Sequence, residues 1–333
     1  MRACSMNLVA VSDDTAPGEE EGEVLGDVSV VHPARILRLL PAAGGSLPEL
    51  SVSVTARCTV PVPGRGQICS EEILLIGGKR DSLFAAVSSL LVPDVPSILL
   101  WRSAVQEDDR LFRSLATVAD RVLVDSTGSS DALPMLGRWH ALMFHGPERR
   151  GFWGVTLAGD LSWTRIAAWR RVLAAAVHAP DMRPLLASGS RLLVEYAGAT
   201  LAQALLFAGW FCGRIGWEVR RADRSADGLV VDCDAAGRRV VLSQAGGDAA
   251  PGLTRVVLSD PHGRRLAIAR TTEPRCAVVT RERDGVTTQE SVRHSAAGGD
   301  AAVLGRELEV LEHDSHYEAA MRWVGRLLEG FQA

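Results

Sequence analysis

Lysine is all but missing from this chain: Lys79 stands alone among 36 basic residues, the others being arginine. Acidic residues number 40 and the net charge is -4, so there is no general attraction to a phosphate backbone and nucleic acid is not an expected partner. The arginine bias reads as genomic base composition rather than as a device for holding anions. Long apolar runs are missing too. The most apolar segment, Ala199 to Cys212, is about 14 residues long, short of the roughly 20 that span a bilayer. It reads as a core helix, and no membrane partner is expected. The start, MRACSMNLVAV, has neither an h-region nor a cleavage site, so no export is expected. Six cysteines occur without any CxxC spacing, and reduced thiols in a cytoplasmic protein are the default. Also absent are a GxSxG elbow, GxxxxGK[ST], GxGxxG after the first strand and HExxH. No catalytic residues, cofactor or metal are therefore expected.

What is present describes an α/β protein. The stretch Ser82 to Trp101 reads as a buried helix to Leu91 and a buried strand from Ser97, parted by Pro93 and Pro96, which neither element tolerates inside it. A strand without polar alternation needs cover on both faces, as in the middle of a parallel sheet. Strands are expected at Asn7 to Val11, Ala34 to Leu40 and Arg121 to Val124, with helices at Gly22 to Val30 and Asp108 to Ala119. Leu50 to Val60 and Ile68 to Ile76 alternate with period two around a Pro/Gly turn, the pattern of an antiparallel edge hairpin. Asp160 to Val177 reads as one helix capped by Asp160. Then come a strand at Arg191 to Tyr196, a helix at Ala199 to Ile215 ended by Gly216, seven short strands from Glu218 to Arg293, and a helix from Ala301 to Leu328 broken near Asp314. At 333 residues the chain suits about two domains. The expected division is an α/β domain over 1–155, a mostly parallel helix-flanked sheet with one hairpin, and an α+β domain over 156–333 with an antiparallel meander and a C-terminal helix.

Candidate sites are sparse. The turn Gly77-Gly78-Lys79-Arg80-Asp81-Ser82 joins a strand to a helix, where N–H groups with Lys79, Arg80 and Ser82 could hold an anion; the plain alternative is a turn with Asp81 or Ser82 as cap. Asp125 and Ser126 follow a parallel strand at the sheet edge where ligands bind in such folds, so one sugar-phosphate or nucleotide site using the edge near Asp125 together with the Lys79-Arg80 turn is the alternative functional reading. The segment after the first strand is acidic from Asp13 to Glu23 and would repel phosphate. His313 and His316 fall one helical turn apart and read as a solvated face. Cys58 and Cys69 face each other if their hairpin turns at Pro63-Gly64, a possible redox pair. Trp163, Trp169, Trp210 and Trp217 concentrate near the domain boundary; they fit a core, or, with Arg165 and Arg170, a protein interface.

Seven stretches, in order, resemble one family: MNLVAV at Met6, HPAR at His32, CSEEILL at Cys69, LLVPDVPSILLW at Leu90, DRVLVDS at Asp120, DLSWTRIAAWR at Asp160 and FAGWFCGRIGW at Phe207. They are similar to the OpcA family of glucose-6-phosphate dehydrogenase assembly proteins. The resemblance implies a cytoplasmic, non-catalytic allosteric activator that binds glucose-6-phosphate dehydrogenase and supports NADPH supply through the oxidative pentose phosphate pathway. It implies an N-terminal α/β domain and a C-terminal domain beginning near DLSW. Some members link activation to thiol redox state. Where relatives read toward a histidine before the central helix, this chain has Lys79-Arg80-Asp81.

Overall fold

The computed structural model describes residues 4–12, 19–41, 49–59, 68–106, 108–127, 131–144, 157–225, 228–234, 236–247, 249–273, 275–294, 298–310 and 312–331. Two compact units emerge, each assembled from three segments: 1–125, 141–161 and 298–313 in the first, and 126–140, 162–297 and 314–333 in the second. The division is thus interleaved, where the sequence suggested two continuous stretches; position 155 itself lies outside the described residues.

The first unit is built on seven strands. β1 (Met6–Val11), β2 (Ala34–Leu40), β3 (Leu50–Thr59), β4 (Ile68–Gly77), β5 (Ser97–Trp101), β6 (Arg121–Val124) and β7 (Leu157–Asp160) form a sheet of order β3-β4-β2-β1-β5-β6-β7. All pairings are parallel except β3 with β4, the expected edge hairpin. Every residue of β1, β5 and β6 is buried, which accounts for their unbroken apolar runs. Helix α1 (Glu19–Val31) follows β1, α2 (Arg80–Leu90) follows β4 and α3 (Arg110–Thr117) precedes β6; α4 (Ala132–Phe144) belongs to the second unit up to His140. Phe112 of α3 meets Trp101 edge-on at 5.0 Å, an arrangement the ring quadrupoles favour.

Three expectations need correction. Helix α2 is not buried all round: Leu83 and Val87 alone are buried, one helical turn apart, and the other face meets solvent. Asp160, read as the start of the helix, is the last residue of strand β7, pairing with Val124, and stands directly before the first helical residue. The helix read as continuous from Asp160 is two, α5 (Leu161–Arg165) and α6 (Ala167–Val177), parted at Ile166 with φ -87° and ψ 0°. A four-residue strand running straight into a helix leaves no turn residue to mark the join.

One buried amide organises the approach to β5. Asn7, in β1, is fully buried; its Nδ2 donates to the Val92 carbonyl (2.9 Å) and to Ser97 Oγ (3.1 Å), while its Oδ1 accepts from the Val92 N–H (2.9 Å). That bracket satisfies backbone groups which the prolines leave outside any ladder.

The second unit holds an eight-stranded sheet. β8 (Arg191–Ala197), β9 (Val219–Ser225), β10 (Gly228–Cys233), β11 (Arg238–Gln244), β12 (Gly252–Ser259), β13 (Arg265–Arg270), β14 (Cys276–Arg283) and β15 (Val286–Arg293) lie in the order β15-β14-β13-β12-β8-β11-β10-β9. Two antiparallel runs, β9 to β11 and β12 to β15, flank β8, which pairs parallel with β11 and antiparallel with β12. The single meander expected from the short turns is therefore split by an earlier strand. α7 (Leu185–Ser188) precedes β8, and α8 (Leu201–Ile215) follows it, buried from Ala202 to Gly209 and ended by Gly216 at φ 74°. That left-handed cap suits glycine. The last helix is broken as expected, into α9 (Asp300–Leu308) and α10 (Ser315–Gly330), and Asp314 caps α10 by accepting from the His316 and Tyr317 N–H groups.

Candidate functional site

In an open parallel sheet the ligand crevice lies beyond the carboxyl ends of the strands, where the order reverses. Here that point falls between β1 and β5. Arg102 leaves β5 there, its N–H bonded to the Val11 carbonyl at 2.8 Å. Its guanidinium is shared among three carboxylates of the same unit, Glu21 of α1 at 3.5 Å, Asp125 at 3.7 Å and Asp300 of α9 at 3.7 Å. Glu21 also meets Arg38 of β2 at 3.3 Å, and Arg38 meets Glu72 of β4 at 3.0 Å. A phosphate cradle needs open N–H groups at this spot. The described crevice presents instead two arginines, Arg102 and Arg38, already engaged by carboxylates. Of the acidic stretch read as repelling phosphate, residues 13–18 lie outside the described residues, and Glu21 gains two arginine partners that sequence could not supply.

The two halves of the proposed anion site do not meet. Lys79 and Arg80 follow β4, whereas Asp125 and Ser126 follow β6, four strands away, which is about 19 Å at the usual spacing. Lys79 is the N-cap of α2 and makes no side-chain cap bond, so neither Asp81 nor Ser82 caps the helix; both sit exposed in its first turn. Arg80 Nη1 donates to both oxygens of Asp109, at 2.6 and 2.5 Å, while Asp109 caps α3. Ser126 is fully buried and donates to Ser162 Oγ at 2.8 Å.

The Trp/Arg motif folds inward. Trp163 is 4% exposed. Its indole N–H donates to Asp314 at 2.7 Å, its ring meets Tyr317 at 5.5 Å, and Arg170 stacks on it with 3.4 Å from guanidinium carbon to ring centroid. Tyr317 in turn accepts from the Trp139 indole N–H at 2.7 Å. Trp163 therefore cannot touch a partner in this conformation; it ties α5 to the cap of α10. Arg165 donates to Thr127 at 2.8 Å, and Arg165 and Trp169 are half-buried. Trp217 is interior, edge-on to Phe211 at 5.9 Å, while Trp210 is half-buried against Phe207 at 5.5 Å.

The remaining candidates are placed as follows. Cys58 and Cys69 are register partners in the edge hairpin, and Cys58 is disulfide-bonded. That departs from the expectation of reduced thiols throughout; Cys4, Cys212, Cys233 and Cys276 are free. The turn joining β3 to β4 lies outside the described residues. His313 precedes α10 and His316 lies inside it, so the two are not one helical turn apart on a common face. Among the described residues no group of three or more His, Cys, Asp or Glu is arranged to hold a metal, and no helix is long and apolar enough to cross a membrane. A cavity of about 640 Å³ in the second unit, beside the start of α8, is lined by Asp131, Tyr196, Arg224 and Gln244 among others. Burial raises the Tyr196 phenol, with Arg224 pulling the other way. Sequence reasoning missed this cavity because β8, β9 and β11 supply it from distant stretches.

Fold and site together define a class: a two-unit α/β protein with one mostly parallel seven-stranded sheet and one mixed eight-stranded sheet. Solved structures of similar shape agree with this at the level of fold. The 3-ketoreductase KijD10 of Actinomadura kijaniata matches with TM-score 0.54 and 12% identity, over 98% of this chain and 97% of that one. Glucose-6-phosphate 1-dehydrogenase of Mycobacterium avium matches with TM-score 0.54 and 10% identity, over 98% and 92%. Family models give the more specific result. Residues 26–140 match the glucose-6-phosphate dehydrogenase subunit N-terminal domain and residues 157–321 the subunit's C-terminal domain. This chain belongs to the OpcA family. The OpcA protein of Synechococcus elongatus is 31% identical over 201 residues, 59% of this chain and 43% of that one; the match thus spans under half of the relative's length.

Proposed function

We propose that this chain is a non-catalytic subunit that binds glucose-6-phosphate dehydrogenase, favours its active form and so supports NADPH production by the oxidative pentose phosphate route in the cytoplasm. The observation that carries the reading is the ordered match of both OpcA-family subunit domains along one chain. The ion-paired crevice at Arg102 supports a binding subunit over a nucleotide-using enzyme. An activator works through unequal affinity for two states of its target. A tenfold shift needs about 1.4 kcal/mol of differential binding, which a few side chains supply.

Within the Trp/Arg motif, Arg165 and Trp169 remain as contact residues, with Trp163 and Arg170 holding the corner in shape. Sedimentation of this chain mixed with the glucose-6-phosphate dehydrogenase of the same organism tests the reading. A faster boundary containing both chains is expected. Independent sedimentation at micromolar concentrations would overturn the proposal, and an unchanged complex with Arg165→Ala plus Trp169→Ala would move the contact elsewhere.

A further inference from the structure

Side chains alternate across a sheet, so one face of the second unit's sheet can be followed along its strands to where they end. Val194 of β8, Leu242 of β11 and Leu229 of β10 lie in one row of that face, all buried. Two residues further along, β8 and β11 bring Tyr196 and Gln244 side by side, and β9 sets Arg224 opposite Leu229. The face thus turns from apolar to polar where the strands run out. These three polar residues line the cavity of about 640 Å³, with Leu133 and Leu229 among its apolar walls. Ligand pockets occupy roughly 300–1,000 Å³ and combine apolar walls with a few convergent polar groups.

The polar groups of this cavity are not used by the protein itself. Among the described residues the Arg224 guanidinium, the Tyr196 hydroxyl and the Gln244 amide make no hydrogen bond or ion pair, whereas Arg221 of the same strand holds Asp223 at 2.8 Å. The carboxylate of the described lining, Asp131, is engaged already and stands directly before α4, whose positive end suits it. The free charge is therefore that of Arg224. Burial raises the Tyr196 phenol, outweighing the pull of Arg224, so it is protonated at neutral pH and donates. No side chain caps α8, because the Thr200 hydroxyl turns back to the Ala197 carbonyl at 2.8 Å. The first-turn N–H groups near Leu201 add donors to the same wall. One free cation among neutral donors suits an anionic group, and the phenol and amide around it suit hydroxyls.

We propose that this cavity binds a small polyhydroxylated anion, its phosphate or carboxylate group held by Arg224 and Tyr196 and its hydroxyls by Gln244. The site lies wholly within the second unit and does not depend on the partner reading, which stands or falls separately.

The test is calorimetric titration of the full-length chain, without any partner, with three matched probes: glucose 6-phosphate for a phosphate group, gluconate for a carboxylate and glucose for neither. Saturable binding of glucose 6-phosphate, gluconate or both at one site per chain is expected, with no binding of glucose at the same millimolar concentration. The anion bound more tightly identifies the group the site takes. Arg224→Gln should weaken the dissociation constant at least about tenfold and Tyr196→Phe about threefold. Neither side chain bonds to another residue, so both variants should fold, which thermal melting checks. Arg221→Gln removes an equal charge from the same strand outside the cavity and should leave the affinity unchanged. The proposal is overturned by any of four results: no saturable binding of either anion, wild-type affinity in Arg224→Gln, equal weakening by Arg221→Gln, or glucose binding as tightly as the anions.

Discussion

Two glycines of α8 one turn apart should respond oppositely to the same substitution. A Cβ built on Gly209 would lie 2.6 Å from the Ala320 carbonyl oxygen and 3.3 Å from that residue's carbonyl carbon and Cα. Carbon atoms in contact sit about 3.5–4.0 Å apart, and the obstruction is backbone of α10, which cannot swing aside as a side chain would. Relieving it requires α8 and α10 to separate locally, an overpacking cost of about 1–3 kcal/mol. Alanine's better helix propensity returns about 0.8–1 kcal/mol. Gly209→Ala should therefore destabilise by up to about 2 kcal/mol, a fall of a few degrees in the melting temperature. At Gly213 the nearest atom, the Ala319 oxygen, would be 3.5 Å from the Cβ, an ordinary contact. Gly213→Ala should stabilise by about 0.5–1 kcal/mol. Urea unfolding of both variants, followed by circular dichroism, makes the comparison. The same sign for both would refute the close approach of α8 to α10.

Three further outcomes follow from the geometry. Asp314→Ala removes the cap of α10 and strands the buried Trp163 N–H, together about 2–4 kcal/mol; denaturation followed by tryptophan fluorescence should show it, and a loss under 1 kcal/mol would contradict the paired role. Asp260 is buried, which would raise its pKa, but bonds from the Ser188 hydroxyl, the Arg264 N–H and guanidinium and the His262 N–H outweigh burial and hold it below the ordinary carboxylate value. Its folded pKa is thus below its unfolded one, so its contribution is complete above about pH 4 and is lost as the pH falls through the folded value. Asp260→Asn should cost about 1–3 kcal/mol at pH 7, with the gap to wild type closing at pH 3; a gap independent of pH would refute the account. NADP at millimolar concentration should leave the melting temperature unchanged, whereas a ligand at a hundred times its dissociation constant stabilises by about 2.7 kcal/mol. A saturable rise would contradict the ion-paired crevice.

Much of the fold was legible because local signals were strong. β2 and β6 match their expected bounds residue for residue, since continuous apolar runs flanked by turn residues leave few alternatives. Asp314 and Gly216 announced helix ends by residue type alone. What stayed hidden was non-local. β7 has four residues and no turn before α5. β8 enters between β11 and β12 through pairings some fifty residues apart, and the cavity lined by Tyr196 and Gln244 exists only once that register is known. The site was read less well than the fold for the same reason: Trp163 and Arg170 looked like surface anchors until Asp314 and Tyr317 came in from α10, and Lys79 and Asp125 looked like one site until four strands were counted between them.

The central claim is that this chain raises the activity of glucose-6-phosphate dehydrogenase by binding it. Titrating the purified chain into the dehydrogenase of the same organism, at substrate concentrations near KM and with elution volume followed in parallel, tests it most directly. The account predicts a saturable rise in activity that levels off at a fixed ratio of chains, with both proteins eluting together. Constant activity and separate elution across the whole titration would contradict it.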